Sequence, residues 1–475
     1  MQPLYFEVTD VVKFACSHPR VSGIQRVQLN LIAEIVRRHG SQSIKCLFMH
    51  PRSKRLYSFQ PNEVIDESFE TGKLLRRLGV ISQGSGWPDP ASVREYLQPL
   101  SSRKIRRAWV KLKIYLEALL TPGRLVKRGL RLPSKEERAI QPVPLEEIHA
   151  LPCGATLVLL GAHWGFRAVE QFAERHARQG GETIQMIHDL IPIVAPQLQT
   201  GGLRRDFERW LARVSGYSQR FLCNSENTKA DLLRYLGDHA GGVQSHVIRL
   251  AHEMLGFDRH RKVEIAKSST SDIASVPYVL CVGTMEVRKN GVALLDAWVA
   301  LSDVLGGRLP RLVFAGRTGW HIEAFQTRLA SNESLARTVR IVESPSDEEL
   351  AYLYQNSQFT VYPSLYEGWG LPVGEAAWFG KYCISSNTSS LPEVCGDLID
   401  YVDPADQTAL QAALVKAITQ PEYVAAREQS IREAQLRTWA DVAEDLYQCV
   451  RLPSKSLMPK PAVGQVLLAR QETAE

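Results

Sequence analysis

Glu367 and Glu375 stand eight positions apart in the stretch VYPSLYEGWGLPVGEAAWFGK, residues 361–381. Gly368, Trp369 and Gly370 follow the first glutamate, and Leu371 and Pro372 lead into the second. Glycines let a backbone approach a ligand closely, and proline suits the first turn of a helix. A carboxylate accepts hydrogen bonds from paired hydroxyls, the chemistry that holds a sugar or a ribose. A helix start with free N–H groups favours a phosphate or a polar sugar. The spacing therefore predicts a strand, a glycine loop bearing Glu367, and a helix with Glu375 in its first turn. Both carboxylates are expected on one rim.

The elements needed to position such a rim are readable around it. YVLCVGTM (278–285) is a continuous apolar run, the pattern of a parallel strand buried on both faces. KNGVALLDAWVALSDVL has helical spacing, RLVFAG (311–316) is a second strand, and Ser346 with Glu349 forms a capping box at the start of a helix. FTVYPS and YCISSN are further strands, and DQTALQAALVKAIT is helical. Alternating strands and helices imply a parallel sheet with ligands at the strands' carboxyl ends. The first half repeats the theme less regularly. PLYFEVTDVV, SIKCLFMH, ATLVLLGA, TIQMIHDL and QRFLCNS are expected strands, and GIQRVQLNLIAEIVRRHG and ENTKADLLRYLG expected helices. HRKVEIAKSSTSDIASVP (260–277) is polar and lacks periodicity, which places the junction between two units there.

The chain has 475 residues, 44% hydrophobic and 23% charged, with a net charge of +6. That is the balance of a soluble globular protein of two or three domains and does not call for nucleic acid. None of the eight cysteines forms a C-x-x-C pair, and several lie in apolar runs, so they read as buried small hydrophobes in a reducing cytosol. No metal-ligand spacing is present. The N-terminus lacks a signal pattern, and no apolar stretch is long enough to span a bilayer. Charge is concentrated in one place. Residues 101–131 hold ten Lys or Arg and one acid, Glu117, so this segment carries +9 and the rest of the chain about −3. Ile105, Trp109, Leu112 and Leu116 recur there at helical intervals. A basic amphipathic helix with tryptophan suits an anionic membrane surface. The alternative is a solvated helix packed by that same apolar stripe.

The 361–381 stretch resembles the donor-site signature of the family 4 glycosyltransferases. The resemblance implies an α/β protein of GT-B fold, with two Rossmann-like domains whose parallel sheets face across a cleft. It is good over 275–445 and limited to isolated motifs in the first half. It implies an acceptor-side domain over 1–265 with a basic helical insertion at about 96–135. A donor domain follows over 276–430, then a helix over 431–451 returning to the first domain, and a mobile tail over 452–475. It gives Glu367 contact with the transferred sugar and Glu375 contact with the ribose. VGTMEVRKN (282–290) resembles the strand-end loop that holds the diphosphate, through Lys289 with Arg288 beside it. Thr284 stands where many members carry arginine. By the same resemblance Arg317, in VFAGRTGW, and Glu393, in SSNTSSLPEVCGD with Ser389 and Ser390, join the donor site. In the first half Gly23, in PRVSGIQRVQLNL, would let the backbone approach the donor phosphates, with Arg26 adding charge. QMIHDLIPIVAPQ resembles a strand-end His-Asp of mannosyltransferase-like members, which places His188 in the cleft near the reacting sugar. Asp189 orients that imidazole or caps a turn. His163 and Trp164 are candidates for the acceptor pocket.

The resemblance implies retaining transfer of a hexose, mannose from GDP-mannose favoured, to a glycan or lipid-linked acceptor. No covalent nucleophile is required, and the leaving phosphate helps to take the acceptor proton. No Asp-x-Asp motif is present, so metal-independent action without a cofactor is expected. The expected setting is bacterial surface polysaccharide synthesis in the cytoplasm, peripheral on the inner face of the cytoplasmic membrane. Two other readings stay open: a nucleotide-sugar epimerase of the same fold, and a non-catalytic scaffold.

Overall fold

The structure is a computed structural model that describes residues 3–452, apart from 19–20, 22, 66–69, 83–87, 89, 98–103, 121, 128–129, 200 and 239–242. It contains two sheets. The first has eight strands: β1 (Leu4–Glu7), β2 (Ile44–Met49), β3 (Leu56–Phe59), β4 (Glu146–Glu147), β5 (Thr156–Leu159), β6 (Glu182–Ile187), β7 (Arg220–Cys223) and β8 (Gln244–Val247). Their order is β4-β3-β2-β1-β5-β6-β7-β8. All neighbours are parallel except β3, which runs antiparallel to both β2 and β4. The second sheet has six parallel strands in the order β11-β10-β9-β12-β13-β14. These are β9 (Tyr278–Val282), β10 (Arg311–Gly316), β11 (Val339–Glu343), β12 (Phe359–Tyr362), β13 (Cys383–Ser386) and β14 (Asp400–Val402).

The central strands are buried along their whole length, as expected where helices cover both faces. Their side chains join helices such as Gly291–Leu305, whose Trp298 is fully buried and donates its indole N–H to the Pro310 carbonyl at 3.1 Å. Each such large apolar group stabilises the fold by about 1.5–3 kcal/mol. One continuous core runs from the first sheet through the hinge into the second. Another fills the opposite face of the first sheet.

Three expectations need correction. PLYFEVTDVV is not one strand: β1 ends at Glu7, and helix Thr9–Ala15 begins two residues later. The Glu7 carboxylate accepts the Thr9 N–H at 3.0 Å, a local bond that turns the chain out of the ladder. The junction segment contains a short helix, Ser269–Ala274, capped reciprocally by Ser268 and Ser271, and Thr270 donates to Glu349 at 2.8 Å. Of the expected apolar stripe of the basic segment, Trp109, Leu112 and Leu116 are exposed, and in helix Lys104–Leu120 a different face carries the buried residues; the side chain of Ile105 lies outside the described residues. Residues 101–103, 121 and 128–129 of that segment, and the tail beyond Leu452, lie outside the described residues.

The last helix, Trp439–Arg451, lies against helix Ile24–His39 of the first domain. His39 stacks on Tyr447 with ring centroids 3.6 Å apart. The buried Arg220 of β7 donates to the carbonyls of Cys449 and Leu452 and pairs with Glu182 at 3.1 Å. Among the described residues no helix is long and apolar enough to cross a membrane.

Candidate active site

The loop after β9 and the loop after β12 meet at one buried charge cluster. Asn290 adopts a left-handed conformation (φ 56°), which lets the 3-10 turn Val287–Lys289 end and helix Gly291–Leu305 begin at once. The turn aims Arg288 and Lys289 at the β12 loop. Glu367, 7% exposed, receives both: Lys289 Nζ donates to its Oε1 at 2.6 Å, and Arg288 pairs with its Oε2. Ser364 Oγ and Tyr362 OH also donate to Oε1, at 2.5 and 3.0 Å. Arg288 further donates to Glu286 at 2.6 Å and to the Tyr366 carbonyl at 2.9 Å. Burial alone would push the Glu367 carboxyl up. The positive charges of Arg288 and Lys289 outweigh it and hold the group at about 2. Burial and the neighbouring Arg288 lower the Lys289 ammonium, while burial raises Glu286 against the pull of the same arginine. Glu286 Oε2 and Arg288 Nε are buried without a hydrogen-bond partner. A cavity of about 120 Å³ adjoins the loop, lined by Gly283, Thr284, Lys289, Phe314, His321 and Phe325 among others.

The second carboxylate has its own partners. Helix Leu371–Trp378 starts after Gly370, so Glu375 falls at the fifth helical position and not in the first turn. Gly370 has φ 124°, and a Cβ there would lie 2.7 Å from Leu391. Glu375 is buried, accepts from Tyr354 OH at 3.0 Å, and sits 3.7 Å from Arg26 of the first domain. Arg26 also reaches Asp347 at 3.6 Å. Burial raises the Glu375 carboxyl, opposed by Arg26. Gly23 caps the helix that carries Arg26. Its φ of 55° disfavours a side chain, and the space where a Cβ would project is open.

The first domain closes on this site through the loop after β6. A Cβ on Gly368 would lie 2.1 Å from the His188 carbonyl oxygen and 2.9 Å from Asp189 Cβ, so only glycine fits between the lobes. His188 is buried, and its Nε2 lies 2.7 Å from the Leu160 carbonyl oxygen. A carbonyl only accepts, so Nε2 carries the proton and Nδ1 is left as an acceptor. Burial lowers the imidazole below its ordinary value and keeps it neutral. Asp189 Oδ1 accepts the Ile191 N–H at 3.0 Å, closing a turn. Burial raises its carboxyl, opposed by Arg288 across the junction.

The remaining sequence candidates disperse. Trp369 is in the core and its indole N–H has no partner, while Leu371 packs at the core's edge. Arg317 lies over the Phe14 ring of the first domain, 5.6 Å from its centroid. Glu393 accepts the N–H groups of Glu226 and Asn227 at 2.7 and 2.9 Å, capping helix Glu226–Leu236 from the other lobe. Ser389 accepts the Glu367 N–H at 2.9 Å, and Ser390 donates to the Glu367 and Trp369 carbonyls. Trp164 packs edge-on against Phe207 and Trp210. His163 is fully buried and bonds Glu7 at 2.6 Å. Burial would lower His163, but Glu7 and Asp10 raise it overall. Glu7, at the carboxyl end of β1, and Asp10, in the first turn of the helix that follows, are not among the residues the sequence points to, nor are Glu286, Tyr362 and Ser364. For Glu7 the available signal was a charged residue ending a buried parallel strand.

Residues 265–437 match the model of the family described as glycosyl transferases group 1. This region is a group 1 glycosyl transferase domain. Among related proteins, the serotype-specific mannosyltransferase WbdA of Escherichia coli is 28% identical over 199 residues, which are 40% of this chain and 24% of that protein. The O-antigen chain mannosyltransferase B of Escherichia coli is 28% identical over 235 residues, 50% of this chain and 61% of that protein. The chain thus matches about a quarter of the first relative's length and under two thirds of the second's. Among solved structures, Anabaena Alr3699/HepE in complex with UDP and glucose superimposes with a TM-score of 0.54 at 10% identity, over 95% of this chain and 100% of that one. The group 1 domain and the sheet before it together form a GT-B fold.

Proposed function

We propose that this chain is a retaining glycosyltransferase that moves a hexose from a nucleoside diphosphate sugar to a hydroxyl of a glycan or lipid-linked acceptor. GDP-mannose is the favoured donor and bacterial surface polysaccharide the favoured product. The mannosyltransferase names of the relatives support the sugar. The observation that carries the reading is the ionised Glu367 held between Arg288 and Lys289, with the next residue, Gly368, against the backbone carbonyl of His188. Negative charge grows on the diphosphate as the glycosidic bond breaks, and two preorganised cations stabilise it most in the transition state. Glu367 offers an acceptor to sugar hydroxyls. The neutral His188 presents Nδ1, which can take a hydrogen bond from the sugar without repelling an oxocarbenium-like centre. Glu375 takes the ribose hydroxyls once Arg26 moves toward the phosphates. Acceptor attack on the face the diphosphate leaves keeps the configuration, with that phosphate taking the acceptor proton. No metal takes part in this scheme. The lobes part to admit the donor and close to exclude water.

A thermal-shift screen against GDP-, UDP- and dTDP-sugars tests the donor, since a ligand that binds only the folded state raises the melting temperature. Turnover of the stabilising donor is then followed by NMR of the anomeric proton, with and without EDTA. Retained configuration and insensitivity to EDTA are expected. An inverted product, or epimerised donor with no acceptor present, would overturn the proposal, as would unchanged turnover in both Lys289→Ala and Glu375→Ala.

A further inference from the structure

Helix Lys104–Leu120 has two apolar faces. On one, Val110, Ile114 and Ala118 pack against Val93, Leu97, Leu125 and Leu130, a small cluster separate from the main cores. The other face shows Trp109, Leu112 and Leu116, spaced i, i+3 and i+7, to solvent. They are 69, 51 and 51% exposed. Val126, on the following helix Pro122–Lys127, is 58% exposed. Of the eleven exposed large hydrophobic side chains among the described residues, these are four, and Trp109 is the only tryptophan. The outward stripe is thus a local feature of this insertion and not the general texture of the surface.

Its charge names the occupant. At 100° per residue, Arg106 and Lys113 flank the Trp109 row, and both are exposed, as is Arg124. Residues 101–131 carry +9 on a chain that is otherwise about −3, so a second copy of the same face would be repelled. We propose that this face docks on an anionic lipid bilayer. Trp109 sits at the headgroup level, Leu112 and Leu116 dip into the acyl boundary, and Arg106, Lys113 and Arg124 meet lipid phosphates. Docking confines the protein to the surface of an anionic bilayer. The inference rests on this face alone and is independent of the transferase reading.

The full chain is sedimented, without donor, with vesicles of neutral phosphatidylcholine and with vesicles in which about a third of the lipid is phosphatidylglycerol. Binding is expected only to the anionic vesicles, and is expected to weaken as salt is raised. The variant Trp109→Ser/Leu112→Ser/Leu116→Ser is expected to bind at least about tenfold more weakly, with unchanged circular dichroism and melting, because all three side chains are already exposed. Arg106→Glu/Lys113→Glu is expected to weaken low-salt binding similarly. Equal binding to neutral vesicles, no binding to either kind, or undiminished binding by both variants overturns the proposal. A concentration-dependent dimer that the triple serine variant abolishes, without vesicle binding, points to a second copy and likewise overturns it.

Discussion

Replacing Glu367 by glutamine keeps the shape of the side chain and removes its charge. Among the described residues Arg288 then retains Glu286 as its salt-bridge partner, and Lys289 retains the Tyr362 hydroxyl. The carboxyl is held at about 2 against an ordinary 4.5. At about 1.4 kcal/mol per unit, its ionised form is stabilised by roughly 3 kcal/mol relative to the unfolded chain. Glu367 is 7% exposed, so solvent screening takes little away. The independent rule for breaking one partner out of a buried ion pair gives about 3–5 kcal/mol, in agreement. The sign follows from the depressed value: the contribution is complete above about pH 4.5 and is lost as pH falls toward about 2. Urea unfolding of wild type and E367Q is therefore expected to differ by about 3 kcal/mol at pH 7 and at pH 5, with the gap narrowing only below about pH 4.5. GDP is expected to protect E367Q more than wild type, because the two cations have lost a competing carboxylate, while sugar transfer is abolished. A stability gap under about 1 kcal/mol at pH 7 would refute the assignment of Glu367 as the counter-ion that organises the site.

If His188 meets the sugar and not the nucleotide, as proposed, His188→Ala is expected to lower kcat by at least about a hundredfold with donor KM changed less than about threefold; a loss confined to KM argues against that position. Gly368→Ala pushes a Cβ to 2.1 Å from the His188 carbonyl oxygen, so it is expected to hold the lobes apart. The signs are a larger radius of gyration in solution scattering and loss of turnover, and wild-type values for both would sink the idea. His252 accepts the Arg437 N–H at Nδ1 (3.0 Å) and lies 2.7 Å from the Val394 carbonyl through Nε2, and burial lowers its imidazole. A lowered histidine stabilises fully above its unfolded value, so melting temperature is expected to fall as pH drops below about 6.5, and His252→Gln to show a shallower fall; identical slopes count against it.

The second sheet was legible because parallel strands buried on both faces appear as apolar runs, and because Gly368, Gly370 and Pro372 punctuate the site where strand gives way to helix. Lys289 and Glu367 could be placed at neighbouring strand ends for the same reason. What the sequence hid were partners set by tertiary packing. Nothing local in the Arg26 region points to Glu375, 349 positions away, and nothing around Glu393 says that it caps a helix in the opposite lobe. The Glu7–His163 pair spans 156 positions and forms only because β1 and β5 are adjacent. The basic helix shows the same limit within one element. Val110, Ile114 and Ala118 and the row Trp109, Leu112 and Leu116 are both periodic, and only the position of Val93 and Leu130 decides which is buried.

The charges at the lobe junction lead to one more expectation. Arg288 and Lys289 face Glu367 and Glu286, so the cluster is close to neutral before any donor arrives. A diphosphate brings negative charge to a place already held by carboxylates. Two of the acids there, Glu286 and Asp189, are raised by burial, and Glu375, the proposed ribose contact, is raised as well. A raised carboxyl gains a proton more readily than it would in water, and an approaching anion raises it further. Donor binding should therefore take up protons rather than release them, and affinity should strengthen as pH is lowered below neutral, by less than tenfold per unit if one site dominates. GDP-mannose is the suitable probe, because its esterified diphosphate stays ionised through this range. Calorimetry in two buffers of different ionisation enthalpy reads the proton count directly. Zero uptake, or net release, would mean that the diphosphate lies away from Glu286 and Asp189, and the loop 286–290 would then have to be dismissed as its cradle.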